Sequence, residues 1–201
     1  MKYAPVVLLG DHRLAAECII RTCHYAHSAP SGKSHYVKFG DAYVIWSLPA
    51  NMHTTRFILG PPAALPDKRK VWELSRLWAP DGHEPNLLTQ AISAAVGVIQ
   101  RLERPDCLIS YADPHQGHAG YVYKAASWLY HGKTDETRGW IKDGQWVARR
   151  KFHSGKNFLR KPQIESLGYV QHNLPPKERF IKPLSRAAKK KYAGYVAPRV
   201  T

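Results

Sequence analysis

The chain has 201 residues, enough for one domain with a substantial core, and its 44% hydrophobic and 11% aromatic content excludes wholesale disorder. The formal net charge is +15 and unevenly placed: residues 133–201 hold 17 Lys/Arg against 5 Asp/Glu, a net of +12, which leaves +3 for residues 1–132. A near-neutral body with a basic C-terminal third is the footprint of a polyanion binder, nucleic acid first, with a merely solubilising tail as the plainer alternative.

In chain order, "YAPVVLLG" reads as a short buried strand. Its apolar run is too short for a signal-peptide core, and Asp11, His12 and Arg13 follow at once. Gly10-Asp11 offers an N-cap to a helix in which Leu14, Cys18, Ile19 and Thr22 recur up to about His27. The cysteines, Cys18, Cys23 and Cys107, make neither a disulfide framework nor a closed zinc set, and they suit a reducing compartment. "SAPSGKS" is a loop. Its Gly32-Lys33-Ser34 is not a phosphate-binding loop, because His27 stands where that pattern requires glycine.

"HYVKFGDAYVIWSLP" predicts a hairpin turning at Gly40-Asp41, followed by "TTRFILG" and a Pro-rich stretch with Pro61, Pro62 and Pro66. "KVWELSRLWA" alternates as a central strand. "PDGHEPN" is a loop whose Asn86 can cap the helix "LLTQAISAAVGVIQRLE". Beyond Pro105 come the strand "CLISYA", a shorter helix in "HAGYVYKAASW", and a strand or its lead-in in "WLYHGKT". "GWIKDGQWVARR" predicts a hairpin turning at Asp143-Gly144. Basic linker-like sequence follows, then "KERFIKPLS" as the last strand and an extended basic tail over residues 182–201. The order is α+β with a central βαβ unit, and no segment approaches a membrane span, so a soluble intracellular protein without a membrane partner is expected. No signature fixes an oligomeric state.

Three stretches could carry chemistry. In "CHYAHS", His24 and His27 would share a helix face and could ligate zinc or iron, against the plainer reading as polar helix-end residues. In "WELSRLW", alternation puts Trp72, Leu74, Arg76 and Trp78 on one face and Val71, Glu73, Ser75 and Leu77 on the other. Glu73 or Arg76 must then be paired, buried or lining a cleft. In "SYADPHQGHAGYVY", Asp113 follows the carboxyl end of a strand, where βα folds place ligands, and could serve as base or metal ligand, with Tyr123 as a phenolic acid. Alone, Asp113-Pro114 is an ordinary turn starter.

Taken in one order and spacing, "CHYAHS", "IWSLPAN", "WELSRLWAPDG", "ISYADP" with "GHAGYVYKAASWLYHG", and "KERFIKPL" resemble the Mom family of bacteriophage DNA-modification proteins. The likeness runs from about residue 20 to 185. It implies a fold like the GCN5-related N-acetyltransferases, with a mixed central sheet flanked by helices. A catalytic domain over residues 1–181 would precede the basic extension at 182–201. It implies an enzyme that attaches a carbamoylmethyl-type group to the N6 amine of adenine, protecting phage DNA from host restriction, in the cytoplasm of the infected bacterium. By that resemblance Asp113, Tyr123, Tyr25 and Arg76 are expected catalytic residues. Arg76, Thr89, Asn86, Ser47 and Asn51 are the expected cofactor contacts. The implied metal is iron, with His24 and Asp113 as its ligands. Acetyltransferases carry a Gln/Arg-x-x-Gly-x-Gly/Ala loop that holds the cofactor pyrophosphate. Here that junction is "LWAPDGHEPN", so the donor stays open between acyl-CoA and another group donor.

Adenine N6 is paired and stacked in a duplex, so double-stranded DNA would be met with the base flipped out. Trp46, Trp78, Tyr111 and Tyr123 are candidates for stacking on it, with core packing expected for at least two. Arg149, Arg150, Lys151, Lys156, Arg160, Lys161, Lys189, Lys190 and Lys191 would grip phosphates. The alternatives are a CoA-dependent N-acetyltransferase acting on a protein or small amine, and a non-catalytic basic DNA-binding module.

Overall fold

The computed structural model describes residues 2–30, 32–50, 52–59, 70–154 and 157–194. The first half contains β1 (Val6–Leu8), α1 (Gly10–Cys23), β2 (Ser34–Phe39), β3 (Ala42–Ser47), α2 (Met52–Leu59), β4 (Val71–Trp78) and α3 (Leu87–Glu103). Then come β5 (Cys107–Ala112), α4 (Tyr121–Ala125), β6 (Leu129–Lys133), β7 (Thr137–Lys142) and β8 (Gln145–Ala148). The short strands β9 (His153–Ser154) and β10 (Asn157–Phe158) precede α5 (Lys161–Ser166), β11 (Val170–Leu174), β12 (Glu178–Pro183) and α6 (Arg186–Lys191).

A seven-stranded sheet in the order β1-β2-β3-β4-β5-β12-β6 forms the centre. Its pairs are antiparallel except β4 with β5, which run parallel as the βαβ unit around α3 requires. The 17-residue helix α3 buries Leu87, Ala91, Ile92, Ala95, Val96, Val98 and Ile99, an apolar stripe recurring every three to four residues. That stripe meets Val37, Phe39, Val44, Trp46, Trp72 and Leu74 of the sheet, and α4 adds Tyr123 to the same core. On the opposite face Ala16 and Ile20 of α1 pack on Tyr36 and Ile45. Beside them Ile58 of α2 and Tyr192 pack on Val71, Ile109 and Ile181. This is the α+β architecture, a mixed central sheet with helices on both faces, expected from the sequence.

Several local expectations are corrected. The strand β1 sits at the sheet edge, paired to β2, and Val6 is exposed rather than buried. Helix α1 starts at Gly10 with Leu9 in the N-cap position and no side-chain cap, so Asp11 lies inside its first turn. It ends at Cys23, short of His27. Asn86 adopts a left-handed conformation (φ 62°, ψ 6°) and its side chain does not cap α3. The helix expected across residues 118–128 shrinks to Tyr121–Ala125, because the chain enters it through Gly120 at φ 75°. The hairpin expected at Asp143-Gly144 forms as β7 and β8. The basic stretch after it, read as linker, instead carries β9, β10, α5 and β11, and β11 completes a second sheet, β11-β7-β8, covered by α5. The described part of the tail is not extended: α6 is capped by the Ser185 hydroxyl, and Ala188 and Tyr192 are buried.

Candidate active site

The strand β4 carries one residue more than its neighbour β3 accommodates. Ile45 opposes Arg76 and Trp46 opposes Leu74, so Ser75 is a β-bulge, its hydroxyl donating to the Ile45 carbonyl at 3.1 Å. An extra residue reverses the side-chain alternation beyond it. Trp72, Leu74 and then Leu77 face the α3 core, while Trp78 packs beside Tyr43 on the α1 face. The expected single face of Trp72, Leu74, Arg76 and Trp78 is therefore broken at Ser75.

The bulge also ends the parallel pairing. The ladder between β4 and β5 runs from Val71–Cys107 to Leu74–Ser110 and no further. Beyond it the strands part, and a cleft of about 260 Å3 opens at their carboxyl ends. Its walls include His24, Tyr25, Ser75, Arg76, Tyr111 and Tyr123, closed on one side by the turn from Gly117 to Gly120.

At the floor of the split, the Ser110 hydroxyl lies 2.9 Å from the Leu74 carbonyl and 2.8 Å from the Tyr123 hydroxyl. A carbonyl only accepts and Ser110 has one proton, so Ser110 donates to Leu74 and the Tyr123 hydroxyl donates to Ser110. Burial pushes Tyr123 up to about 12, with the Ser110 bond opposing the rise. The phenol therefore stays protonated at neutral pH. Tyr111, also on the cleft, is pushed up to about 12 by burial and by the Glu73 carboxylate.

His24 and Tyr25 come from the turn after α1. The His24 amide caps the helix on Ile20, and the chain then folds so that His27 donates its amide to the His24 carbonyl at 2.8 Å. The two histidines consequently diverge. His27 is exposed at φ 43°, whereas His24 is buried against the cleft and its ring lies 4.3 Å from that of Tyr25. Arg76 pins this turn to β4: its Nε and Nη2 donate to the Ser28 carbonyl and hydroxyl at 2.8 and 3.0 Å. Burial, then the Arg76 charge, then His118 and His27 lower the His24 pKa to about 4, so its imidazole is neutral.

The Ala26 amide donates to His24 Nδ1 at 3.0 Å. Since that amide can only donate, the neutral ring carries its proton on Nε2. Metal-bound histidines show the opposite arrangement, donating through the nitrogen that does not touch the metal. Asp113, the other expected ligand, is buried with Oδ2 2.7 Å from Lys177 Nζ, while Oδ1 accepts the His115 amide at 3.1 Å. Among the described residues, no three His, Cys, Asp or Glu side chains gather around a point where a metal could sit. As they stand, His24 and Asp113 do not make an iron site.

The other expected residues separate. Tyr25 and Arg76 line the cleft, as does Leu88, the neighbour of partly buried Thr89. Asn86 is exposed. Ser47 is buried opposite Glu73, before the bulge, and does not line the cleft. Trp46 is a core residue stacked 6.4 Å from Trp128, and Trp78 is partly buried against Tyr43, so both are packing residues; Tyr111 and Tyr123 do face the cleft. Lys151, Arg160, Lys161, Lys189, Lys190 and Lys191 are exposed, and Lys191 Nζ also donates to the Ile58 carbonyl at 2.7 Å. Arg149 and Arg150 belong to the 3-10 turn Arg149–Phe152, but their side chains, like Lys156 and Asn51, lie outside the described residues.

Sequence reasoning gave no role to Ser110, Ser28, Lys177 or the cleft-lining His118. Ser110 had a signal, a hydroxyl inside an otherwise apolar strand. Lys177 had none, because it meets Asp113 only through the pairing of β12 with β5. Glu73 is partly buried on β4; burial pushes its carboxyl up, opposed by the Arg76 and Lys177 charges, and its own charge acts on Tyr111 and Tyr123.

The model of the Mom protein family matches residues 11–198 of the chain. A curated relative, the methylcarbamoylase Mom of Escherichia phage Mu, is 36% identical over 81 residues. That match covers 40% of this chain and 33% of the relative, so the chain spans about a third of its length. Similar solved structures include a Bacillus subtilis acetyltransferase in complex with CoA, at 8% identity and TM-score 0.45, covering 92% of this chain and 100% of the other. Another is the C-terminal condensation domain of Ebony in complex with beta-alanyl-dopamine, at 12% identity, TM-score 0.47 and the same coverage.

Proposed function

Since the chain belongs to the Mom protein family, we propose that it is a phage DNA-modifying transferase that places a carbamoylmethyl-type group on adenine N6, acting in the cytoplasm of the infected bacterium. The observation that carries the reading is the cleft where β4 and β5 part. At about 260 Å3 it has room for one base and not for a base pair in its stack, so the adenine enters flipped or unpaired. Tyr25 and Tyr121 stand exposed at its rim, where an extruded base would stack.

The reaction forms a bond between N6 and the CH2 carbon of the donor. The leaving group departs with its electron pair, and N6 gives up one proton. The His24 Nε2–H and the Arg76 guanidinium make the wall from α1 electropositive, and there they hold the donor's carbonyl or its leaving group. Tyr123, already donating to Ser110, turns a lone pair to the cleft and accepts one N6–H, which orients the amine.

Neither Glu73 nor Asp113 is among the residues that line the cleft, so the proton leaves the amine by a relay, and for its final acceptor we prefer Glu73 to Asp113. Asp113 would have to give up Lys177 before taking a proton, and it holds the turn from Pro114 to Gly120 in place. Burial raises the Glu73 carboxyl, against the Arg76 and Lys177 charges, and a raised carboxyl is the direction that suits a general base. Mass spectrometry of nucleosides from cells expressing the protein tests the reading. A new deoxyadenosine derivative is expected, and an unchanged deoxyadenosine profile under confirmed expression refutes it. A CoA-dependent acetyltransferase would instead acetylate an amine and ignore DNA. A non-catalytic module would bind DNA and leave its nucleosides unaltered.

A further inference from the structure

The proton released at N6 needs a way from the cleft to Glu73, and the ladder between β4 and β5 supplies one. Alternation puts Val71 and Glu73 of β4 on the face that α2 covers, with Cys107, Ile109 and Tyr111 of β5 beside them. Val71 stands opposite Cys107 and Glu73 opposite Ile109. The next pair on that face would be Ser75 and Tyr111, but the pairing stops at Leu74–Ser110. Tyr111 therefore lies in the split, one step past Glu73, where it lines the cleft while packing against the core of Val71 and Ile109. Its phenol feels the Glu73 carboxylate, which after burial is what raises it. The Thr54 hydroxyl of α2 bonds the same phenol and lowers it, the effect of a donor to the phenol oxygen. With Thr54 donating, the phenol's own proton is left to point elsewhere.

Other groups on the cleft do not lead to a carboxylate. Tyr123 donates to Ser110 and Ser110 to the Leu74 carbonyl, so that chain ends on an oxygen that takes up no proton. His24 Nδ1 already accepts the Ala26 amide, and its Nε2 carries the proton. His118 is exposed at the rim beside Tyr25, where a proton it took would pass to water. We propose that Tyr111 is a catalytic residue that hands the N6 proton on to Glu73. As the N6 lone pair bonds the donor's CH2 carbon and the leaving group departs with its electron pair, one N6–H passes its proton to Tyr111 Oη. The phenol's own proton passes in the same step to a Glu73 carboxylate oxygen. Tyr111 ends as the neutral phenol it was, and Glu73 as a carboxylic acid. The second N6–H stays on Tyr123, which approaches from the α3 face, since Ser110 and Tyr111 point to opposite sides of β5. The proposal rests on the DNA-modifying reading and names the link that its proton transfer needs.

The test is a double-mutant cycle on the full chain, with modified deoxyadenosine per unit time read by mass spectrometry at matched protein concentration. Tyr111→Phe and Glu73→Gln should each cut kcat by about 100-fold or more, the usual loss when acid–base catalysis is removed. Tyr111→Phe should also leave KM for DNA within about twofold, which a loss of base stacking would not. The double variant should fall no more than about threefold below the slower single variant, because both substitutions break one route. Thr54→Val keeps the phenol and removes only the hydroxyl that orients it. It should slow the wild type by about three- to tenfold and leave Glu73→Gln no slower, so it carries the cycle if Tyr111→Phe melts early. The relay is overturned if Tyr111→Phe keeps kcat within about threefold, or if the double variant loses the product of the two single losses, about 10,000-fold or more. Either result with modified deoxyadenosine from the wild type sinks the relay alone. No modified deoxyadenosine from the wild type sinks the DNA-modifying reading, and the relay with it.

Discussion

Tyr123→Phe removes one oxygen from the floor of the cleft and little else. The ring keeps its neighbours, Trp128 at 5.6 Å and Phe180 at 5.2 Å between centroids, so the core it belongs to does not collapse. Ser110 keeps the Leu74 carbonyl as acceptor and loses only the bond it accepted, a net cost of about 1 kcal/mol. In a protein of this size that lowers Tm by roughly 2–4 °C. The lost contact to the N6 amine is a different quantity. An orienting hydrogen bond worth about 1–3 kcal/mol in the transition state corresponds to a loss of about five- to 150-fold in modification rate. The assay is the yield of modified deoxyadenosine per unit time, by mass spectrometry, with protein concentration matched and thermal melting run alongside. A variant that melts within a few degrees of the wild type yet modifies DNA within about twofold of its rate would show that Tyr123 does not touch the amine. A variant that loses both fold and activity would show that the hydroxyl matters to the core instead.

Three further perturbations separate the roles assigned above. Glu73→Gln should cut modification by about 100-fold or more, the usual loss when a general base is removed, while Asp113→Asn should retain activity within about tenfold; the reverse order would return the proton to Asp113. The neutral imidazoles of His24 and His131, both with pKa lowered to about 4 chiefly by burial, do not take up the protons that the unfolded chain binds below its ordinary value of 6.5. The stability that these two groups contribute should therefore fall as pH drops from 6.5 to about 4 and change no further below that, with buried His24 contributing on the order of 2–3 kcal/mol. Melting between pH 7.5 and 4.5 should show a shallower fall for His24→Gln, and an unchanged slope would exclude the assignment. At Gly120, φ is +75° and an added Cβ would lie 2.3 Å from the Phe180 ring, so Gly120→Ala should cost about 2 kcal/mol or more and lower Tm by roughly 4–8 °C. An unaltered Tm would mean that the turn shifts freely.

How far the chain could be read depended on whether the determining contact was local. The apolar stripe of α3 and the alternation of β2 and β3 each repeat within a dozen residues, and both elements lie where their patterns put them. Asp113 was found because it directly follows a strand in the sequence. What that carboxylate does was hidden, since Lys177 reaches it from another strand of the sheet. His24 and His27 looked like a helical pair only under the assumption that α1 continued through both. The helix stops at Cys23, and no glycine or proline marks the stop. The stretch 149–174 has little periodicity and much charge, so it resembled a linker. Its fold depends on Trp140, Phe152 and Ile164 meeting across segments that are individually short.

The bulge at Ser75 ties the two kinds of information together. A strand that alternated strictly through "WELSRLW" would send Arg76 and Trp72 to the same face, the α3 core, where a guanidinium could only be an unpaired buried charge. One extra residue sends Arg76 instead to the turn that carries His24 and Tyr25, while Leu74 and Leu77 both keep the α3 face. The same irregularity leaves β4 unable to follow β5 past Ser110, so the cleft opens between the Arg76 wall and Tyr123. Strict alternation put a charge among the apolar residues of "WELSRLW", and that conflict is resolved by the bulge at Ser75. A charged residue breaking an alternating pattern points to a local departure from the ladder, and here that departure is where the site forms.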